Sequence, residues 1–354
     1  MKPVAVIILN WNGRKLLKQF LPSVVKGTNK MIADVIVADN GSLDKSIDYI
    51  NDNFPDVKII RFEKNLGFAQ GYNEAIKQTG YKYTLLLNND VAVPEGWLEP
   101  LYDFMENNPT VGACQPKLLS YENRKMFEYA GASGGFIDRN GFPYCRGRIF
   151  SHVEHDHEQY DNTTTVFWAS GAALMVRTEL YNRVGGLDPL FFAHMEEIDL
   201  CWRIHLQGCD VAVVPQSQVY HLGGGSLPAS NPKKTYLNFR NNLLLLYKNT
   251  PADVRDKIVR RRMIWDALAF TMFAGTFQFK NASAVIRAHR DYRQMRKNYT
   301  SLAAPAKNLI GPFKGSRVNI VTSFYLCRRR RYRSLKNLSY WSLLACAFFA
   351  RTKG

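Results

Sequence analysis

Residues 4–13 read Val4-Ala5-Val6-Ile7-Ile8-Leu9-Asn10-Trp11-Asn12-Gly13. The run 4–9 is apolar and rich in β-branched side chains, with no alternation of apolar and polar positions. It therefore predicts a strand buried on both faces. The run stops at Asn10-Trp11-Asn12, and a helical pattern takes over at residues 14–25. The unit then recurs. A strand over 35–38 ends at Asp39-Asn40-Gly41-Ser42 and is followed by a helix over 43–53. A strand over 57–61 precedes a helix over 68–79, and a strand over 83–87 ends at Asn88-Asn89-Asp90. Such alternation with short joints predicts an α/β fold: a mostly parallel central sheet with helices on both faces. Ligands bind such sheets beyond the carboxyl ends of the strands. The polar clusters Asn10-Trp11-Asn12, Asp39-Asn40, Asn65 and Asn88-Asn89-Asp90 are expected there.

Farther along, residues 120–165 are rich in glycine, aromatic and polar residues and read as loops with a hairpin. Residues 172–176 read as a strand, 199–207 as a helix, and 211–214 and 219–220 as two strands leading to His221 and the run Gly223-Gly224-Gly225. Beyond Pro251 the pattern becomes Arg-rich amphipathic helix. The expected organisation is a catalytic domain over 1–250 and a basic helical region over 251–354. No internal repeat is evident.

The net charge of +17 is unevenly placed. Residues 1–251 carry 25 Lys/Arg against 26 Asp/Glu, whereas residues 252–354 carry 22 against 4. A near-neutral body with a basic appendage points to an anionic surface as partner. Arg260-Arg261-Arg262 precede an apolar stretch over 264–279 that only Asp266 interrupts, and Arg328 to Arg331 with Arg333 precede another over 340–350. Both stretches are shorter than the roughly 20 residues of a spanning helix. They read as interfacial anchors on an anionic leaflet, the alternative being a soluble helical subdomain with a charged outer face. Nucleic acid is not expected, because no recognised motif for it accompanies the charge. The six cysteines show no CxxC spacing and read as reduced thiols. With no signal-peptide pattern at the start, a cytoplasmic protein peripheral to the inner face of the cell membrane is expected.

Three features carry chemistry. Asp90 follows an apolar strand, where a carboxylate can hold a hard divalent cation against a diphosphate, though a turn or cap aspartate looks the same. In Phe191-Phe192-Ala193-His194-Met195-Glu196-Glu197-Ile198-Asp199, crowded carboxylates beside aromatic rings can supply a general base. The competing reading is an acidic first turn that suits the helix dipole, and Asp199 fits it well. His221, before the glycine run, is a candidate metal ligand or a structural histidine beside a flexible loop.

In order and spacing, several motifs over about residues 3–250 resemble the family 2 glycosyltransferases, especially their rhamnosyltransferase-like branch. They are the 6–13 segment, Val37 to Ser42, Asn65-Leu66-Gly67-Phe68-Ala69-Gln70-Gly71-Tyr72-Asn73, Leu86 to Asp90, Ser170-Gly171-Ala172-Ala173, Gly185-Gly186-Leu187-Asp188 and Glu196 to Arg203. The resemblance implies a GT-A fold and an inverting transfer of sugar from a UDP- or dTDP-sugar to an acceptor hydroxyl, a glycan or lipid-linked glycan. Rhamnosyl transfer in cell-surface polysaccharide or glycolipid synthesis is the expected instance. It implies that Asp39 accepts from N3–H of the base, that Trp11, Asn65 and Gly67 shape the base pocket, and that Asn10, Asn12, Asn88 and Asn89 line the nucleotide-sugar. Asp90 and His221 would hold Mn²⁺ or Mg²⁺. Asn88 stands where the family carries the first aspartate of its Asp-x-Asp, a poorer metal ligand. Glu197 would be the base, with Glu196 beside it, and the pocket near Trp168 and Glu196 would hold donor sugar or acceptor. A sugar nucleotidyltransferase would need a Gly-rich basic loop after the first strand, which residues 10–14 lack. A membrane-bound scaffold with a degenerate site is disfavoured by the intact Asp90, Glu197 and His221.

Overall fold

The computed structural model describes residues 2–223, 231–299, 307–313 and 315–335. The glycines at 224 and 225 and the apolar stretch over 340–350 lie outside them. The chain divides into two compact units, one from Met1–Gly134 and Asp161–Ser230, the other from Gly135–Tyr160 and Asn231–Gly354. The second unit includes the chain from Asn231 onward, and it draws in a segment expected only as loops and a hairpin.

In the first unit, β1 (Val4–Asn10), α1 (Arg14–Gly27), β2 (Ala33–Asp39), α2 (Ser46–Asn53), β3 (Lys58–Arg61), α3 (Phe68–Lys77) and β4 (Tyr83–Asn88) alternate as the sequence predicts. β5 (Val91–Ala92), α4 (Glu99–Asn107) and β6 (Val111–Ser120) come next. After passing through the second unit as β7 (Gly135–Ile137), β8 (Pro143–Cys145), β9 (Arg148–Ile149) and β10 (His152–Val153), the chain returns. It adds β11 (Thr164–Val166), β12 (Ala173–Arg177), α5 (Thr178–Arg183), α6 (Glu196–Leu206) and β13 (Asp210–His221). The sheet has nine strands in the order β11-β13-β6-β12-β4-β1-β2-β3, with β5 paired to β13. β3, β2, β1 and β4 run parallel, as do β6 and β13, and β12 runs antiparallel between β4 and β6.

Val4, Ala5, Val6 and Ile7 are all closed from solvent, so β1 is covered on both faces as its unbroken apolar run requires. One face packs with Leu17, Leu21, Trp97, Leu101 and Met105 in a core that continues through Leu85, Leu87 and Met175. The two strands expected over 211–214 and 219–220 form the single strand β13, whose register with β6 shifts between Val214 and Gln218. Pro215 lies in that interval and cannot donate to a ladder. Pairing brings the functional ends together. Asn10 is level with Asp39, Leu9 with Asn88, Ala173 with Leu87, and His221 with Val91.

In the second unit, β10, β9, β8 and β7 form a small antiparallel sheet, accompanied by α7 (Pro232–Asn249), α8 (Ala252–Gly275) and α9 (Phe279–Met295). The start of α7 follows from its residues. Pro232 takes the first turn, and Asn231 accepts from the Lys233 amide at 2.8 Å as the N-cap. Asp266, which breaks the apolar stretch over 264–279, is 1% exposed and accepts from Arg262 at 2.7 Å, with His289 Nε2 at 2.9 Å. Arg262 also bonds Asn242 and lies 3.9 Å from the ring centre of Phe142. A charge in an apolar helix is held here as a buried, fully partnered set.

Candidate functional site

The carboxyl ends of β1, β2 and β4 build the first half of the site. The side-chain amide of Asn10, itself buried, donates to Asp39 Oδ1 at 3.4 Å and Ser42 Oγ at 3.3 Å, and Asn89 donates back to Asn10 at 3.2 Å. Ser42 donates its amide to Asp39 Oδ2 at 3.1 Å and accepts the amide of Asn12 at 2.9 Å. Asn12, at φ 49, accepts from the Leu43 amide at 2.8 Å. Asn40 joins this to the next loop by donating to Asn65 at 3.0 Å and to the Gly67 carbonyl at 3.1 Å. The loops are therefore fixed by one another. Of the residues expected at the nucleotide, Trp11, at 56% exposure, offers an open aromatic surface. Asn12 and Asn65 are also exposed, whereas Asn10 and Asp39 are closed from solvent.

The second half forms where β4, β5 and β13 meet. His221 Nε2 lies 3.0 Å from Asp90 Oδ1 and 3.5 Å from the amide nitrogen of Asn88. The Leu222 amide donates to the Asp90 carbonyl at 3.0 Å, tying the two loops together. On the far side of the ring, Nδ1 lies 3.3 Å from Glu128 Oε1 without the alignment of a hydrogen bond. Both His221 and Glu128 are about 5% exposed. Burial pulls the imidazole pKa down, but the carboxylates of Asp90 and Glu128 outweigh it and raise the value to about 10. Gly223 closes over this group at φ 65, and a Cβ there would come within 2.9 Å of Glu128 Oε1. Only a glycine fits both the turn and the approach.

Once the imidazole gives up its Nε2 proton, Asp90 and His221 present an oxygen and a nitrogen donor 3.0 Å apart, a set that fits a divalent cation completed by phosphate oxygens and water. Among the described residues no group of three or more His, Cys, Asp or Glu forms an all-protein metal cage. Glu128 does not converge with Asp90, because the imidazole ring stands between them.

The Ser170-Gly171 turn enters β12 beside the end of β4, where the Asn88 amide donates to the Ala172 carbonyl at 3.0 Å. Glu197, in the first turn of α6, sits over this turn. A Cβ on Gly171 would lie 3.6 Å from the Glu197 Cβ and 3.8 Å from the Phe68 ring. Although Glu197 keeps some surface, its Oε2 is buried with no hydrogen-bond partner. Burial pushes its pKa up to about 7, moderated by backbone amides at the helix start. Burial, and then the neighbouring Glu197 and Asp199, hold Glu196 well above the usual carboxylate range. Of the two, Glu197 is the carboxyl whose charge changes near neutral pH. Asp199 is a structural member: fully buried, it accepts from Arg203 at 2.7 and 2.9 Å, while Arg203 also donates to the Gly186 carbonyl at 2.7 Å. Trp168, expected to line the sugar pocket, is 2% exposed and packed into the unit, and Glu196 is buried as well. Glu128 was not anticipated. It lies in a stretch of mixed polarity, and only the fold carries it to His221.

The sequence profile described as "Glycosyl transferase family 2" matches residues 5–183. An N-acetylglucosaminyl-diphospho-decaprenol L-rhamnosyltransferase of Mycobacterium tuberculosis is 26% identical over 61% of this chain and 75% of its own length. The low-salt glycan biosynthesis hexosyltransferase Agl10 of Haloferax volcanii is 22% identical over 68% of this chain and 74% of its own. Among solved structures, GalNAc-T7 with UDP, GalNAc and Mn²⁺ superposes with a TM-score of 0.55 at 18% identity, covering 70% of this chain and 48% of that one. This chain thus spans about half the length of that protein. The mannosyltransferase PcManGT of Pyrobaculum calidifontis, in complex with GDP-Man and Mn²⁺, gives 0.51 at 13% identity over 83% of each chain. These structural likenesses are likenesses of fold.

Proposed function

This chain belongs to glycosyl transferase family 2, and on that premise we propose that it is an inverting, divalent-metal-dependent enzyme. It would move a sugar from a UDP- or dTDP-sugar to a hydroxyl of a glycan or lipid-linked glycan. Rhamnose from dTDP-rhamnose is the preferred donor, a choice supported by the relative named as a rhamnosyltransferase with a diphospho-decaprenol acceptor. One observation carries the reading. The Asp90–His221 couple, 3.0 Å across, lies at the same end of the sheet as a buried, partnerless carboxyl oxygen of Glu197.

Asp90 Oδ1 and His221 Nε2 would hold Mn²⁺ or Mg²⁺. Such an ion, when bound, neutralises charge on the diphosphate leaving group. Asp39 accepts from the base, Trp11 covers it, and the network through Asn12, Ser42, Asn40 and Asn65 keeps these groups in place before substrate arrives. Glu197 takes the proton of the acceptor hydroxyl as its oxygen attacks the anomeric carbon from the face opposite the departing nucleotide. One displacement of this kind inverts the centre, by the logic of inverting hydrolases. Glu196, whose carboxyl is held above the usual range by burial and by Glu197, stands as its partner in the acidic pair.

The basic second unit is read as the attachment to an anionic membrane surface, at the cytoplasmic face. No described helix is long and apolar enough to cross a membrane, and the described cysteines are all free. Nucleotide release by purified protein, measured over a panel of UDP- and dTDP-sugars with Mn²⁺ or Mg²⁺ and a lipid-linked acceptor, tests the assignment. Acceptor-dependent release from at least one donor is expected. No release from any of them would overturn it.

A further inference from the structure

The two halves of α8 differ. Its buried residues are Ile258, Val259, Arg262 and Asp266, and none of its residues beyond Asp266 is buried. Yet the sequence from there is apolar and uncharged. Residues 267–279 read Ala-Leu-Ala-Phe-Thr-Met-Phe-Ala-Gly-Thr-Phe-Gln-Phe, bounded by Asp266 and Lys280. Leu268 is 53% exposed, Met272 48%, Phe277 81% and Phe279 63%. An uncharged helix end normally buries itself, and an exposed apolar patch of this kind marks an interaction surface.

The turn to α9 adds a second, independent sign. Phe277 holds φ 59, a left-handed conformation that a bulky side chain takes only under strain and glycine takes freely. The turn is closed by the Phe277 amide on the Ala274 carbonyl at 3.1 Å and the Gln278 amide on the Phe273 carbonyl at 2.8 Å. A strained aromatic with no cover is placed there for what lies outside the chain. Beside it, Pro232, Phe279, Lys280, Ser283 and Arg287 line an open groove of about 370 Å³. It combines an apolar wall with two cations and a hydroxyl, the donors that a phosphate headgroup accepts from.

We propose that the α8–α9 hairpin tip, residues 267–279, dips into the headgroup layer of an anionic phospholipid bilayer, with Lys280 and Arg287 taking lipid phosphate in the adjoining groove. The excess of positive charge over residues 252–354 argues against a neutral protein partner, and the uncharged apolar tip between charges favours a bilayer, apolar beneath an anionic surface, over an acidic-faced protein. The inference deepens the membrane part of the reading above, and its test does not depend on transfer.

Full-length protein is floated with vesicles of phosphatidylcholine alone or mixed with phosphatidylglycerol. The wild type is expected to float with both and more strongly with the mixture. F277S/F279S should weaken binding to both at least about tenfold, with its melting temperature unchanged because both rings are exposed. K280Q/R287Q should lose roughly an order of magnitude on mixed vesicles at low salt and nothing on neutral ones. Undiminished flotation of F277S/F279S overturns the proposal. So does loss of flotation only on removal of residues 336–354, which makes the tail the anchor. Conversion of a dimer to a monomer by F277S/F279S, with flotation intact, would instead assign the tip to a second copy of the chain. Failure of sugar transfer in wild type and variants alike would sink the catalytic reading and leave this one standing on flotation.

Discussion

His221 Nε2 lies 3.0 Å from Asp90 Oδ1 although Asp90 follows the fourth strand and His221 ends the last. The pairing of β13 with β5 sets His221 level with Val91, the residue after Asp90, so the couple forms only when that pairing does. Asp90→Ala should abolish transfer, and a chelator should inhibit the wild type reversibly. Titration calorimetry with Mn²⁺ in the presence of UDP should show binding in wild type and none in the variant. Full turnover in excess chelator would refute the metal assignment.

Glu128 stands behind the imidazole, 3.3 Å from Nδ1. A carboxylate on the outer nitrogen would fix the ring so that the other nitrogen is turned toward a cation held at Asp90. Glu128→Ala is expected to weaken Mn²⁺ binding by about 10–100-fold, read directly by calorimetry or electron paramagnetic resonance, with Glu128→Gln recovering part of it. Equal affinity in wild type and both variants would reduce Glu128 to a packing residue.

Glu197→Gln keeps shape and removes proton acceptance, so turnover should fall by roughly 10²–10⁴ while donor binding survives. Because the Glu197 pKa is raised to about 7, activity in wild type should climb with pH through that value as the base form appears, and the limb should vanish in the variant. Stability should run the other way. A carboxyl whose folded pKa is raised stabilises the fold fully below its unfolded pKa of about 4.3, and that contribution is lost as pH rises through about 7. Melting temperatures of wild type and Glu197→Gln across this window check the sign. A dead Glu196→Gln with an active Glu197→Gln would reverse the two roles.

Asp266 is 1% exposed between Arg262 and His289. Asp266→Ala leaves a buried guanidinium without its counter-charge and should cost about 3–5 kcal/mol. The paired change Arg262→Met with Asp266→Leu should cost much less, because no charge is then stranded. Urea unfolding of the full chain separates these outcomes.

The parallel half of the fold was legible because each strand there is an unbroken apolar run that ends in polar residues, and those polar ends are also the side proposed for the nucleotide. β6 was not legible. Its run is interrupted by Gln115, Pro116 and Lys117, which are nevertheless buried. The polar members are satisfied from afar. Gln115 accepts from the Ser170 amide at 2.9 Å, and Lys117 pairs with Asp161 at 2.7 Å. No local pattern announces partners that distant. The same holds for Glu128. The Glu197 region was legible as an acidic cluster, but its division into a buried Glu196, a raised Glu197 and an Arg203-bound Asp199 depends on which way each side chain leaves α6. Trp168 was expected at a sugar pocket and is packed within the unit, since an aromatic residue before a buried strand reads alike in either place.

β6 has a further consequence, for the chain while it is being made. Both of its sheet neighbours, β12 and β13, lie later in the sequence. Synthesis runs from the N-terminus, so β1 to β4 can assemble as soon as they emerge. β6 must then wait with both edges open until β12 has emerged, and with one edge open until residue 221 is out. An apolar strand with free edges is a template for pairing with another chain. While the chain grows from Ser120 to His221, β6 therefore keeps at least one unpaired edge. That edge closes when β13 docks, the same event that brings His221 to Asp90.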